Sequence, residues 1–171
     1  MTDTENTDTP HFPYLLRGDS LTQLTACRSS EEPERPRGVV WGVDLADCTS
    51  RKHARSRWHQ IVHELKTELG RRPSVRQVCI VCVRPTRFPQ SALVRAPSGL
   101  AKQLHNDLER DRARYVQVFL IDVTGCDRPE VLCERLREAH DMRSGTWNDL
   151  SLTWEDIVDS SLHEAWARDS L

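Results

Sequence analysis

The sequence predicts an α/β domain, a three-layer sandwich with a small, mainly parallel sheet of three to four strands and alternating helices. Three short runs rich in β-branched and aromatic residues begin about 38 residues apart. The segments between these runs carry helical periodicity. Strands that alternate with helices at this spacing are typical of a parallel sheet with right-handed crossovers. A length of 171 residues suits a single domain of this class.

The three strand candidates are almost entirely apolar runs, in which Gln117 is the one polar residue. They span residues 39–43, 78–83 and 116–121. Runs without polar alternation favour strands that are covered on both faces. Asp44 follows the first run, Arg84 the second and Asp122 the third. A fourth, short strand is expected at residues 150–154, where apolar and polar residues alternate.

Three helices are expected in the gaps and a fourth after the last strand. The apolar positions of the first helix are Trp58, Ile61, Val62, Leu65 and Leu69, and those of the second are Leu100, Ala101, Leu104 and Leu108. Both sets follow the i, i+3, i+4, i+7 spacing of an amphipathic helix. Asp127 and Glu130 have the spacing of a capping box, which predicts the start of the third helix. Residues 157–166 predict the last helix.

The first 37 residues are expected to form a flexible N-terminal tail ahead of a single α/β domain at 38–171. Residues 1–11 are rich in Thr, Asp and Glu, and residues 28–37 contain two prolines and almost no apolar side chain. Such segments bury too little apolar area to offset the entropy of ordering. A short apolar island at 12–24 lies between them and is expected to dock on the domain.

The composition leads us to expect a soluble, cytoplasmic protein. The N-terminus has neither the basic start nor the apolar stretch of a secretion signal. The longest apolar run, at 78–83, is far too short to span a membrane. The six cysteines are therefore expected to be reduced thiols. Cys79 and Cys82 have a spacing seen in metal sites, but positions i and i+3 of a strand point to opposite faces.

Although the net charge is −2, the centre of the chain is basic and both of its ends are acidic. Residues 1–37 carry 7 acids and 4 bases, residues 38–140 carry 12 acids and 18 bases, and residues 141–171 carry 7 acids and 2 bases. This layout favours an acidic partner. The most basic stretch contains Arg51, Lys52, Arg55 and Arg57. It lies at the expected start of the first helix, where the helix dipole already favours an anion.

Arg84 and Arg87 add two cations after the second strand. Together with the stretch at 51–57 they form the predicted anion-binding set. Its partner is expected to be an acidic protein surface or a nucleic acid, although the stretch lacks the interleaved aromatic residues that stack on bases. A solvated basic face without a ligand is the alternative interpretation.

An enzyme site at the strand ends is a second hypothesis. Ligands of open parallel sheets bind beyond the carboxyl ends of the strands, and Asp44, Asp47 and Asp122 are expected there. Carboxylates are suitable ligands for Mg²⁺, and arginines grip phosphate. If the three aspartates converge, they predict a magnesium-dependent phosphoesterase or nuclease. Otherwise these carboxylates cap helices or bind loop amides.

Other site chemistries lack a motif in this sequence. Neither the Gly-x-x-x-x-Gly-Lys-Ser/Thr nor the Gly-x-Gly-x-x-Gly pattern occurs, so neither ATP nor NAD is expected as a ligand. Cys48 and Cys126 are possible nucleophiles, but the sequence places no base beside them. His59 and His63 are i, i+4 neighbours that could ligate a metal. Two solvent-facing histidines are the simpler interpretation, so no metal site is predicted.

The last third of the chain resembles barstar-type ribonuclease inhibitors. The resemblance lies in Phe119-Leu-Ile-Asp122 followed by a helix, then Gly145-Thr-Trp-Asn-Asp149-Leu150 and Leu152-Thr-Trp154. The family pattern has a Gly-x-Asn-hydrophobic-Asp stretch before a strand that contains Trp, whereas this chain reads Trp147-Asn148-Asp149. The resemblance implies an inhibitor or immunity protein, with Asp149 and the acidic C-terminal surface as the inhibitory face.

These observations favour a non-catalytic binding or regulatory module that engages a protein or a polyanionic partner. For each candidate catalytic motif, a structural role explains the same residues at least as well. The metal-dependent phosphoesterase or nuclease and the barstar-like inhibitor remain the two alternatives. No cofactor is expected unless the enzyme hypothesis brings Mg²⁺.

Overall fold

A five-stranded sheet forms the centre of the protein in the computed structural model, which describes residues 11–86, 94–142 and 149–169. All neighbouring strands are parallel, and they lie in chain order across the sheet. They are β1 (Tyr14–Gly18), β2 (Gly38–Asp44), β3 (Gln77–Val83), β4 (Gln117–Asp122) and β5 (Ser151–Thr153). The predicted α/β fold with a mainly parallel sheet is confirmed, with five strands rather than three to four.

Helices connect the strands. They are a 3₁₀ helix (Thr22–Cys27), α1 (Arg51–Arg71), α2 (Leu100–Arg112), α3 (Pro129–Asp141), α4 (Trp154–Ile157) and α5 (Leu162–Asp169). The third helix begins without the predicted capping box, because its N-cap residue is Arg128 and no side chain caps it. A capping box forms instead at the start of α4, where the Thr153 amide donates to Asp156 Oδ2 at 2.8 Å. The single last helix expected at 157–166 is replaced by α4 and α5.

Two hydrophobic cores lie on the two faces of the sheet. On the first face, α1 and α2 pack over strand residues such as Val39 and Ile80. On the second face, the 3₁₀ helix and α3 to α5 pack over residues such as Val40 and Phe119. Full burial of one such side chain stabilises the fold by about 1.5–3 kcal/mol. The protein therefore has the three layers that the sequence predicts.

The start of the domain differs from the prediction. Residues 14–18 form β1, an edge strand paired with β2, so the folded part begins ahead of residue 38. Phe12 and Tyr14 are buried in the second core, and the Tyr14 hydroxyl donates to Gln77 Oε1 at 2.5 Å. The apolar island at 12–24 thus docks on the chain's own domain, as expected, and adds a strand to it. The flexibility of residues 28–37 stays a prediction.

The crossovers cannot all be right-handed. The chain steps in one direction across the sheet, but α1 and α2 cover one face and α3 covers the other. Connections that step the same way over opposite faces have opposite hands. The β4–α3–β5 connection therefore has the hand opposite to that of β2–α1–β3, which corrects the expectation of uniform right-handed crossovers.

None of the helices in the described ranges combines the length and the apolar character needed to cross a membrane.

Candidate functional site

Two crevices are expected at the carboxyl edge of the sheet, because neighbouring connections diverge there. The chain leaves β1 toward the second face and β2 toward the first, so the ends of these two strands are exposed between the layers. The same divergence occurs between β3 and β4. Crevices of this origin are where open α/β sheets bind ligands.

An ion pair occupies the crevice between β1 and β2. Asp19 accepts from Arg57 Nη2 at 2.6 Å through Oδ2, and the Asp44 amide donates to the same oxygen at 2.8 Å. A Cβ on Gly42 would collide with the Asp19 carbonyl oxygen, so only glycine permits this close approach. The Arg57–Asp19 ion pair therefore joins α1 to the turn after β1.

A second ion pair occupies the crevice between β3 and β4. Arg84 Nε donates to Asp122 Oδ2, and the two side chains are only 16% and 13% exposed. Thr124 completes the cluster, since its hydroxyl donates to Asp122 Oδ1 at 2.6 Å and accepts from the Arg84 amide at 2.8 Å. Every oxygen of the Asp122 carboxylate thus has a protein partner.

The three aspartates of the enzyme hypothesis do not form a ligand set. Asp44 pairs with Val83 in the sheet and Asp122 with Cys82, so these carboxylates belong to opposite faces. Asp44 Oδ1 accepts from the Ala46 amide at 2.9 Å, as a loop-capping carboxylate does. Asp47 is exposed on the loop before α1. Among the described residues, no group of three His, Cys, Asp or Glu side chains can hold a metal ion.

The predicted anion-binding set is divided by the structure. Arg57 and Arg84 are engaged by Asp19 and Asp122. Arg87 lies outside the described residues. Arg51, Lys52 and Arg55 are exposed on the first turns of α1, and within the described ranges none of the three forms a salt bridge. We refer to these last three residues as the α1 cluster.

The α1 cluster is electrostatically unfavourable for the helix that carries it. A helix N-terminus bears a partial positive charge, so cations there destabilise and anions stabilise. The first turn of this 21-residue helix contains no acid. Its capping is otherwise ordinary, because Ser50 Oγ accepts from the His53 amide at 3.1 Å. An anion bound here relieves a repulsion that the protein itself leaves uncompensated.

Neither the histidines nor the cysteines considered in the sequence form a reactive centre. His59 and His63 are exposed. Cys79 and Cys82 are buried in opposite cores, as the strand geometry requires. Burial raises the pKa of Cys48 and that of Cys126 above the usual thiol value, which disfavours the nucleophilic thiolate at neutral pH.

Sequence reasoning missed a groove of about 230 Å³ between α1 and α2. Its α1 side consists of Arg55, Trp58, His59 and Val62, and its α2 side of Pro97, Leu100, Gln103, Leu104 and Asp107. The periodic pattern assigned Trp58 and Leu100 to the core, and both are indeed buried. The groove exists because α2 packs beside α1. No local sequence pattern specifies which two helices become neighbours.

Asp149 has an unusual environment for the inhibitory residue that the barstar resemblance implies. It is only partly exposed and its φ of 63° lies in the left-handed region. One of its carboxylate oxygens is buried without a hydrogen-bond partner within the described part of the chain. This carboxylate also helps to raise the pKa of Tyr115, although burial of the phenol is the larger cause.

Comparisons of the chain with models of protein families, with curated proteins and with solved structures find no match.

Proposed function

We propose that the protein is a non-catalytic binding or regulatory module that engages a polyanionic partner, an acidic protein surface or a nucleic acid, through the α1 cluster. The observation that carries the proposal is the position of Arg51, Lys52 and Arg55. They are exposed together at the positive end of a long helix, without a carboxylate partner among the described residues. Such a placement costs stability, which a binding role explains.

The chemistry of binding follows from this arrangement. The guanidinium groups of Arg51 and Arg55 can each donate two parallel hydrogen bonds to a carboxylate or phosphate, and Lys52 adds a mobile point charge. The helix dipole acts in the same direction. The exposed cations also accelerate the encounter with an acidic partner by electrostatic steering.

The absence of catalysis is part of the proposal. It is supported by the opposite faces of Asp44 and Asp122 and by the protein partners that already occupy the Asp122 carboxylate. A cytoplasmic location is also proposed, because all six cysteines are free. Neither the phosphoesterase nor the barstar-like alternative has a comparable observation in its favour.

Binding of labelled polyglutamate and of a labelled single-stranded oligonucleotide tests the proposal. Affinity is measured by fluorescence anisotropy across a range of salt concentrations. We expect at least one probe to bind with strong salt dependence. The Arg51→Ala/Lys52→Ala/Arg55→Ala variant is expected to bind more weakly, and the slope of log affinity against log salt is expected to become shallower by about 2–3.

A matched triple variant distinguishes binding at the α1 cluster from a general effect of the protein's net charge. Arg35, Arg95 and Lys102 are exposed and make no salt bridge within the described ranges. Replacing these three by alanine removes the same charge elsewhere and is expected to leave the salt slope nearly unchanged. Equal loss of binding in the two triple variants, or no binding of either probe by the parent, would contradict the proposal.

A further inference from the structure

The groove between α1 and α2 adjoins the α1 cluster, since Arg55 belongs to both. Its walls are mainly apolar. Trp58 and Leu104 are buried in the first core, and Val62 is half-buried beside them. An apolar recess beside exposed cations favours a ligand that has both an apolar group and negative charge.

Asp107, the one acid among the described residues that line the groove, is already paired with cations. Asp107 Oδ2 accepts from Lys66 Nζ at 2.8 Å, and Oδ1 accepts from Arg110 Nη2 at 2.5 Å. These hydrogen bonds and charges lower the pKa of Asp107, so the carboxylate stays paired at neutral pH. Arg55 and His59 lie one turn apart on the opposite side of the groove, so the unpaired formal charge at its rim is positive.

A buried donor in the wall also lacks a partner. Trp58 is 3% exposed, and its indole Nε1 donates to no acceptor among the residues that the structure describes. Buried indole N–H groups are normally hydrogen-bonded, and a missing partner calls for an explanation. Because Trp58 lines the groove, a ligand that binds there changes the surroundings of this indole.

A protein segment fits these features better than a nucleic acid does. Bases stack on exposed aromatic faces, but the Trp58 indole is buried, so among the described lining residues only the small His59 imidazole is exposed for stacking. The phosphate backbone gains nothing from an apolar recess. An acidic peptide with an apolar side chain can use the cations of the α1 cluster and the recess together, as peptides do when they dock in grooves between helices.

We infer that the partner is a short acidic segment of another protein, which seats one apolar side chain between α1 and α2. This inference rests on the proposed function, because the same α1 cluster supplies the charge contacts. It adds the chemical class of the partner and the position of its anchor residue.

Two synthetic peptides test the inference. Both alternate Glu and Ser, and they differ only in a central Leu or Ala. The parent protein is expected to bind the Leu peptide about tenfold more tightly, as burial of one aliphatic side chain predicts. Val62→Gln is expected to abolish this preference, because it makes the groove wall polar while keeping a helix-compatible residue. His63→Gln, at an exposed position of α1 outside the groove, is the control that keeps it.

The Trp58 indole gives a second measurement. Its N–H resonance, assigned with a Trp58→Phe variant, is expected to shift when the Leu peptide binds. A resonance that stays unchanged at saturation overturns the inference. So does equal binding of the two peptides, or a preference for Leu that survives in Val62→Gln.

The charge contacts are tested separately. Arg51→Ala/Lys52→Ala is expected to weaken both peptides by the same factor and to preserve the Leu preference. If the two peptides bind equally but with salt dependence through these residues, the inference fails and the proposed function stands. If an oligonucleotide binds and neither peptide does, the inference fails in favour of nucleic acid. If the loss of these cations changes nothing, the proposed function fails as well.

Discussion

The cations at the carboxyl edge of the sheet fall into two groups that differ in whether a carboxylate pairs with them. Arg57 and Arg84 are held by carboxylates from distant parts of the chain and close the two crevices. The α1 cluster has no such carboxylate among the described residues and faces solvent. The contrast shows that residue type and position in the chain do not reveal which arginines have a carboxylate partner in the folded state.

Loss of Arg84 is expected to have the largest effect on stability. Arg84→Ala leaves the Asp122 carboxylate, whose side chain is 13% exposed, without its cation. We expect the free energy of unfolding to fall by about 2–3 kcal/mol, measured by urea denaturation. Adding Asp122→Asn removes the stranded charge and is expected to recover part of that loss. A double variant less stable than Arg84→Ala would show that the pair does not act through charge.

The α1 cluster is expected to change stability in the opposite direction. Replacing Arg51, Lys52 and Arg55 by alanine relieves the repulsion from the helix dipole, so the free energy of unfolding is expected to rise by up to about 1 kcal/mol. This corresponds to a melting temperature about 2–4 °C higher. Arg57→Ala is the matched control on the same helix and is expected to lower the free energy of unfolding by about 1 kcal/mol. A clear loss of stability in the triple variant would assign the cluster a structural role.

The smallest effect on stability is expected from the ion pair between Lys66 of α1 and Asp107 of α2. Hydrogen bonds from Lys66 and Arg110 lower the pKa of Asp107, with Lys66 as the larger cause. Because this pKa is lower in the folded state, its contribution to stability is complete above the ordinary carboxyl pKa of about 3.9. It is lost as the pH falls through the lowered value.

Acid titration of stability measures this contribution. Asp107→Asn is expected to cost less than about 1 kcal/mol at neutral pH, because both partners are partly exposed. The difference from the parent protein is expected to shrink below about pH 4 and to vanish only once the pH lies below the lowered pKa of Asp107. Glu134→Gln, at an exposed position of α3, is expected to keep the parent's pH dependence. A gap between Asp107→Asn and the parent that persists in acid would contradict the assignment.

Much of the candidate site follows from local sequence. The location of the α1 cluster at a helix start is read directly from Ser50, the basic residues and the apolar period that begins at Trp58. The sequence does not reveal the partners of Arg57 and Arg84, because each partner lies 38 residues away in the chain. The expected convergence of the strand-end aspartates depends on tertiary structure in the same way. Whether Asp44 and Asp122 face each other depends on strand register, and the register places them on opposite faces.

The sequence by itself determines the central strands β2, β3 and β4 and the helices α1 and α2. These strands are apolar on both sides, so both of their faces must be covered. These helices carry one continuous apolar stripe, so that side must pack against the sheet. Tertiary structure alone decides that Tyr14–Gly18 becomes the edge strand β1, since Arg17 interrupts its apolar run and pairing with β2 supplies the missing stabilisation. It also decides the hand of the last crossover and the groove between α1 and α2. Both depend on which face of the sheet each helix covers, and that choice is made by packing between segments distant in the chain.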